Sequence, residues 1–150
     1  MLPTERIETI MTEAVLSIDE QQGASEVLRY FSTYPIHHLP VLNGSKVVGM
    51  LSTADVMKLE HMLPRGAGNA SQYLDQKMKA GGLVRRAPVT IRASQSIEEA
   101  AGLMAKHAVH ALAVVDAEDN LVGIATTTDI MQAKLGGASD SPGAPAIEHM

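Results

Sequence analysis

Residues 49–57 read GMLSTADVM and residues 123–131 read GIATTTDIM. Each stretch places a glycine, then a hydroxyl residue three positions on, then an aspartate three further: Gly49, Ser52 and Asp55 in one, Gly123, Thr126 and Asp129 in the other. The copies continue outward. IHHLPVL at 36–42 matches VHALAVV at 109–115, and VLSI ending at Ile18 parallels PVTI ending at Ile91. The offset is 73 upstream of the turn and 74 downstream, because the second turn is one residue longer. A long internal repeat of this kind sets the fold before any single element is read.

Each half spells the same order of elements. A β-branched run, Val15 to Ile18 or Val89 to Ile91, predicts a short strand. Ala24, Val27, Leu28 and Phe31 in one half, and Ile97, Ala100, Ala101, Met104 and Ala108 in the other, fall at helical spacing and predict a helix with one buried face. Two strands follow, joined by Asn43-Gly44, a dipeptide suited to a tight hairpin, or by the looser DAEDN. A second helix is expected from Ser52 or Thr126, turning Val56 and Met57, or Ile130 and Met131, inward. The fold class is therefore α/β (α+β), two β-α-β-β-α repeats. A unit of about 60 residues buries only about 60% of its unfolded surface, so the repeats are expected to pack pseudo-symmetrically through their sheets. The expected boundaries are 1–62 for the first repeat, 63–72 for a Gly-rich linker, 73–136 for the second repeat and 137–150 for a mobile tail.

Composition narrows the function. Of the 150 residues 45% are hydrophobic but only 3% aromatic, so the core is aliphatic and base-stacking surfaces are scarce. A net charge of -5 with scattered Lys and Arg argues against a nucleic-acid partner. The absence of cysteine removes disulfides and thiolate metal sites and accords with a reducing compartment. The charged N-terminal stretch lacks a secretory apolar run, and no segment approaches the ~20 apolar residues of a membrane span, so a cytoplasmic protein without membrane association is expected.

The repeated STAD and TTTD have two readings. A Ser or Thr followed three residues later by an acid is a capping box. A strand ending in Gly and running into a helix N-terminus also allows close backbone approach and presents free N–H groups, which suits a phosphate or a ribose, and the Asp can accept from ribose hydroxyls. His37, His38 and His110 gather just before the second strand of each half, where imidazole can donate to phosphate. A transition-metal site is disfavoured for want of converging donors. Ser52, His37 and Asp55 could be cast as a nucleophilic triad, but no base is placed against the hydroxyl and no oxyanion donor is evident, so no catalytic residues are assigned.

The whole pattern resembles a tandem pair of cystathionine β-synthase (CBS) domains, a Bateman module, from about Ile7 to Leu135. The resemblance implies two clefts between the repeats that bind adenosine nucleotides, and a homodimer. The ribose-binding Asp of the family falls on Asp55 and Asp129. Its hydroxyls at the helix start fall on Ser52, Thr126 and Thr128, with Thr53 alongside and Ala54 in the place of Thr128. The basic position that contacts phosphates in the γ subunit of AMP-activated kinase falls on His37, His38 and His110. Adenine would sit near Ser17, Ile18, Thr90 and Ile91.

Departures bear on the site. Ala113 stands where the first half has Pro40, and Ala111 where it has His38, so the two clefts are expected to grip phosphate differently. Met11 to Ser17 spans six residues and Met78 to Thr90 twelve, which reads as an insert, GGLVRR, bringing Arg85 and Arg86 to a cleft mouth as further phosphate contacts or as solvated loop residues. The function implied is a non-enzymatic regulatory module that binds AMP, ADP or ATP as a regulatory ligand, with no catalytic cofactor, and signals to an effector protein. A docking scaffold with empty clefts, or a sensor of S-adenosylmethionine, an NAD-type molecule or a cyclic dinucleotide, is the alternative.

Overall fold

The computed structural model describes residues 5–13, 15–61 and 70–136. The predicted tail, 137–150, and most of the predicted linker, 63–72, lie outside the described residues. The chain forms two compact units, Leu16–Pro88, here the first unit, and Met1–Val15 with Val89–Met150, the second unit.

In the first unit β1 (Ile18–Asp19), β2 (His38–Asn43) and β3 (Lys46–Ser52) form a sheet in the order β1-β2-β3. β1 runs parallel to β2 and β3 antiparallel to it. Helix α1 (Ala24–Thr33) connects β1 to β2, α2 (Thr53–His61) follows β3, and α3 (Ala70–Lys77) packs on α1. In the second unit β4 (Thr90–Arg92), β5 (Ala111–Val115) and β6 (Leu121–Thr126) repeat the sheet, with α4 (Ile97–His107) and α5 (Thr127–Lys134). The β-α-β-β-α order read from the repeat is present twice.

The elements follow from local chemistry. Gly44 takes a φ of +66° in the β2–β3 turn, which the Asn-Gly pair accommodates, and Asp119 takes +65° in the looser β5–β6 turn. β1 lacks the first residue pair of its counterpart: Thr90 pairs with Ala113, but the equivalent Ser17 faces Pro40. Ala113 N–H reaches the Val89 carbonyl at 3.4 Å, a bond that Pro40, having no N–H, cannot make. The Pro-for-Ala departure therefore shortens a strand.

The arms that precede the two repeats are exchanged. Residues 5–12, ahead of the first repeat, pack on the second. Ile97 N–H donates to Glu5 O (3.0 Å), Ile7 N–H to Gln95 O (2.7 Å) and Glu8 N–H to Ala93 O (3.2 Å). In the first unit residues 78–84 do the same. Ala24 N–H donates to Met78 O (3.1 Å), Ala80 N–H to Gln22 O (2.8 Å) and Gly81 N–H to Glu20 O (2.9 Å). The same three bonds recur with each residue shifted by 73. Short 3-10 turns, Ile7–Thr9 and Ala80–Leu83, lie at corresponding places in the arms. No insert separates the repeats: GGLVRR is the counterpart of ETIMTE at 8–13. The expected insert came from equating Met11 with Met78, whereas Met11 corresponds to Val84.

Ile7 is fully buried in the second unit with Ile91, Ile97, Met104, Leu112 and Val114, while its counterpart Ala80 is fully buried in the 3-10 turn that packs on β1, α1 and β3 of the first. Met57 and Met131, predicted to face inward, are 61% and 62% exposed. On α2 the buried residue is Leu59, two positions and some 200° of helical rotation from Met57, and on α5 the buried apolar residue is Ile130.

Candidate functional site

In each unit a strand ends in a hydroxyl residue and becomes a helix within one peptide. The Ser52 N–H and hydroxyl both donate to Asp55 Oδ2, at 2.7 and 3.2 Å. Thr126 N–H donates to Asp129 Oδ2 at 2.8 Å, and Asp129 N–H donates back to Thr126 Oγ1 at 3.2 Å, a complete capping box. The capping reading is thus correct as far as it goes, and it engages the same carboxylate oxygen, Oδ2, in both units. The environments differ: Asp129 is 7% exposed and Asp55 half-buried.

Strand register in one unit and a backbone bond in the other bring a histidine to each cap. His38 lies directly across from Ser52, and Ala111 across from Thr126. Thr127 N–H donates to the carbonyl of His110 at 3.0 Å, which ties that residue to the start of α5. His37 and His110 are exposed and His38 half-buried. Thr53 and Thr128 are exposed on the first turns of α2 and α5. Pro40 is buried two residues along β2. The first-strand residues divide: Ile18 and Ile91 are each 1% exposed and belong to the cores, whereas Ser17 and Thr90 stand on the accessible side. Ser52 Oγ is committed to the Asp55 carboxylate and not to an imidazole, which is not the arrangement of a nucleophile. No group of three His, Cys, Asp or Glu among the described residues could hold a metal ion. No helix of the described residues is long and apolar enough to cross a membrane.

The glycines that open the two motifs have a different occupant from the one expected. A Cβ on Gly49 would collide with both Cγ atoms of Val84, and a Cβ on Gly123 would lie 2.5 Å from Met11 Sδ and 2.9 Å from the Thr12 carbonyl. The close approach that each glycine permits is that of the exchanged arm. Thr12, buried, also pairs with Ile124 through reciprocal backbone bonds of 2.9 and 3.0 Å. Met11, Thr12 and Val84 were absent from the sequence-based set. The equal spacing of Ile7 to Ile10 and Ala80 to Leu83 marks their arms as equivalent in the sequence. Arg85 and Arg86, both exposed, follow Val84 in the first unit, the unit of Ser52 and Asp55.

Comparisons with known proteins agree with this architecture. The profile described as CBS domain matches residues 7–61 and again 80–136, each match beginning at a 3-10 turn. Uncharacterized protein MJ1426 of Methanocaldococcus jannaschii is 28% identical over 151 residues, covering 85% of this chain and 89% of that protein. Homoserine O-acetyltransferase of Methanocorpusculum labreanum is 30% identical over 122 residues, covering 81% of this chain, which spans only 22% of that enzyme. Among solved structures, CBSX2 of Arabidopsis thaliana in complex with AMP matches with a TM-score of 0.71 at 26% identity, over 87% of this chain and 96% of that one.

Proposed function

Because this chain belongs to the CBS-domain family, we propose that it is a regulatory module that binds an adenosine nucleotide, AMP, ADP or ATP, at its strand-to-helix caps. Binding shifts the population of its conformations, and a partner chain reads the result. The observation that carries this reading is the duplicated cap, an Asp at a helix start bonded to a hydroxyl residue, with His38 beside it by register in one unit and His110 joined to the helix start by a backbone bond in the other. The likeness to CBSX2 in complex with AMP supports it. The ribose hydroxyls would be held by Asp55 and Asp129, and the phosphates by the helix N-termini, His37, His38 and His110. Ser17 and Thr90 would flank the base. The module acts without catalysing a reaction of its own and as a homodimer.

A second reading has its own support. Both carboxylates already serve as caps, which a docking scaffold with no ligand would also need. Asp→Asn substitutions separate the two, because Asn still caps while losing the charge that strengthens a ribose contact. Thermal unfolding is measured with AMP, ADP and ATP on the parent, Asp55→Asn and Asp129→Asn, with light scattering on the same samples to read the mass. A ligand at about 100 times its Kd stabilises the parent by roughly 2.7 kcal/mol. At least one Asn variant should lose most of that shift. If no nucleotide moves the parent, the docking reading replaces this one.

A further inference from the structure

The two repeats close their hairpins differently, and the difference leaves one side-chain amide open to chemistry. In the first unit the turn is Gly44-Ser45, and the four residues from Asn43 to Lys46 are all exposed. Asn43 pairs with Lys46 as the last step of the β2–β3 ladder, and a register shift between Val41 and Leu42 leaves two pairs beyond it. Among the described residues, and its chain neighbours apart, no atom lies within 4 Å of where a Cβ on Gly44 would stand. In the second unit the turn from Asp116 to Asn120 is laced by the Asp116 carboxylate. Its Oδ1 accepts from Glu118 N–H and Asn120 N–H, both at 2.9 Å, and its Oδ2 accepts from the Asn120 side-chain amide at 3.3 Å. Asn120 is half-buried, and Leu121 follows it.

We propose that Asn43 is a site of spontaneous covalent modification, deamidation through a cyclic imide, and that the hairpin of the second unit protects Asn120 from the same reaction. The Gly44 backbone nitrogen attacks Asn43 Cγ and gives up its proton. A C–N bond forms, the Cγ–Nδ2 bond breaks, and Nδ2 takes up that proton and leaves as ammonia. Water then opens the ring, at one carbonyl to give an aspartate at position 43, at the other to give isoaspartate, in which the main chain runs through the former side chain. Asparagine is among the thermally labile residues, and a following glycine has no Cβ to shield the attacking nitrogen. Leu121 supplies such a shield, and the bond to Asp116 holds the Asn120 amide in place. The extended backbone of a strand turns the next nitrogen away from Cγ, so the ring closes when the hairpin tip opens, and a short exposed tip opens readily. Either product sets a carboxylate across from Lys46. Isoaspartate also lengthens the main chain beside a two-residue turn, whose length fixes the pairing of β2 with β3. That pairing is the one that sets His38 opposite Ser52.

Ageing the full chain at neutral pH and physiological temperature tests the proposal. Peptide mapping by mass spectrometry reads the conversion of amide to acid at each asparagine, and enzymatic methylation of isoaspartate counts the rearranged product. A synthetic peptide of residues 39–47 serves as the unstructured reference. Asn69, which lies outside the described residues, is followed in its own peptide. Conversion at Asn43 in the folded chain should run within about tenfold of the rate in the peptide, which corresponds to an opening cost of about 1.4 kcal/mol or less. It should exceed conversion at Asn120 by about tenfold or more. Asn43→Gln, whose longer side chain would have to close a larger ring, should lose the isoaspartate signal from this segment, and thermal unfolding verifies that the variant folds. Conversion of Asn43 below that range while the peptide reacts means that the hairpin protects it, and overturns the proposal. Conversion of Asn120 at a matching rate overturns the protection assigned to the second hairpin.

Discussion

Gly49 and Gly123 show how one residue can serve packing where a ligand was expected. Both are buried, and the space above each is taken by the exchanged arm: Val84 on one, Met11 and the Thr12 carbonyl on the other. The Thr12 backbone is fixed by its two bonds to Ile124, and Val84 is β-branched and stiff at χ1, so neither yields readily to a methyl group. Gly49→Ala should therefore cost about 1–3 kcal/mol by overpacking. Adding Val84→Ala, which removes both offending Cγ atoms, should return part of that loss, giving a coupling of about 0.5–3 kcal/mol in a double-mutant cycle. Urea midpoints measure both quantities. If Gly49→Ala left stability unchanged and lowered only nucleotide affinity, the glycine would be serving the ligand after all. The glycine, hydroxyl and aspartate pattern was legible in the sequence, and so was its capping role. The tenant above the glycine was not, because nothing local in GMLSTAD indicates which distant segment lies against it.

Helix starts differ between the repeats although their positions correspond. Ser96 caps α4 by accepting from Glu99 N–H at 3.0 Å, and Glu99 answers on the Ser96 N–H. Bonds from the Gln95 side chain and then from Ser96 hold the Glu99 carboxyl below the usual carboxylate range. At the same position of the first repeat stands Gly23, which has no side chain to offer, and Glu26 turns instead to Arg29 at 2.7 Å. The cap is supplied from α3, fifty residues away: Asp75 accepts from Ser25 N–H at 2.9 Å and from its hydroxyl at 2.8 Å. A Cβ on Gly23 would collide with the Asp75 carboxylate, so local and remote caps exclude each other. Asp75→Ala should cost about 0.5–2 kcal/mol. Gly23→Ser alone should destabilise, whereas Gly23→Ser on the Asp75→Ala background should stabilise, by restoring the local cap. Chemical denaturation of the four proteins reads that change of sign, and additive effects would refute the exclusion. The hairpins and the four repeat helices were readable from periodicity and turn residues. α3 was not, because ASQYLDQK is polar and its use is to cap another helix. Met57 and Met131 were misread because a run of two apolar residues does not reveal which of them faces the core.

At the scale of the whole molecule, the order of the chain and the order of the compact units disagree. The repeat was legible because both copies kept its residues. The exchange was not, because Ile7 next to repeat one and Ile7 inside repeat two are the same sequence. Burial decides between them: Ile7 has no exposed surface and packs with Ile97, Leu112 and Val114, all from the second repeat. Its truncation should therefore act at a distance along the chain. Ile7→Ala should cost about 2–5 kcal/mol through lost burial and the cavity left behind. Hydrogen exchange followed by mass spectrometry should show protection falling across 90–134 while 18–61 holds its own, since local opening follows the cooperative unit and not the sequence neighbourhood. Leu83→Ala supplies the reciprocal case, because Leu83 lies in the arm carried by the first unit and is itself buried. It should loosen 18–61 and spare 90–134. The reverse pattern in either variant would mean that each arm stays with the repeat it precedes.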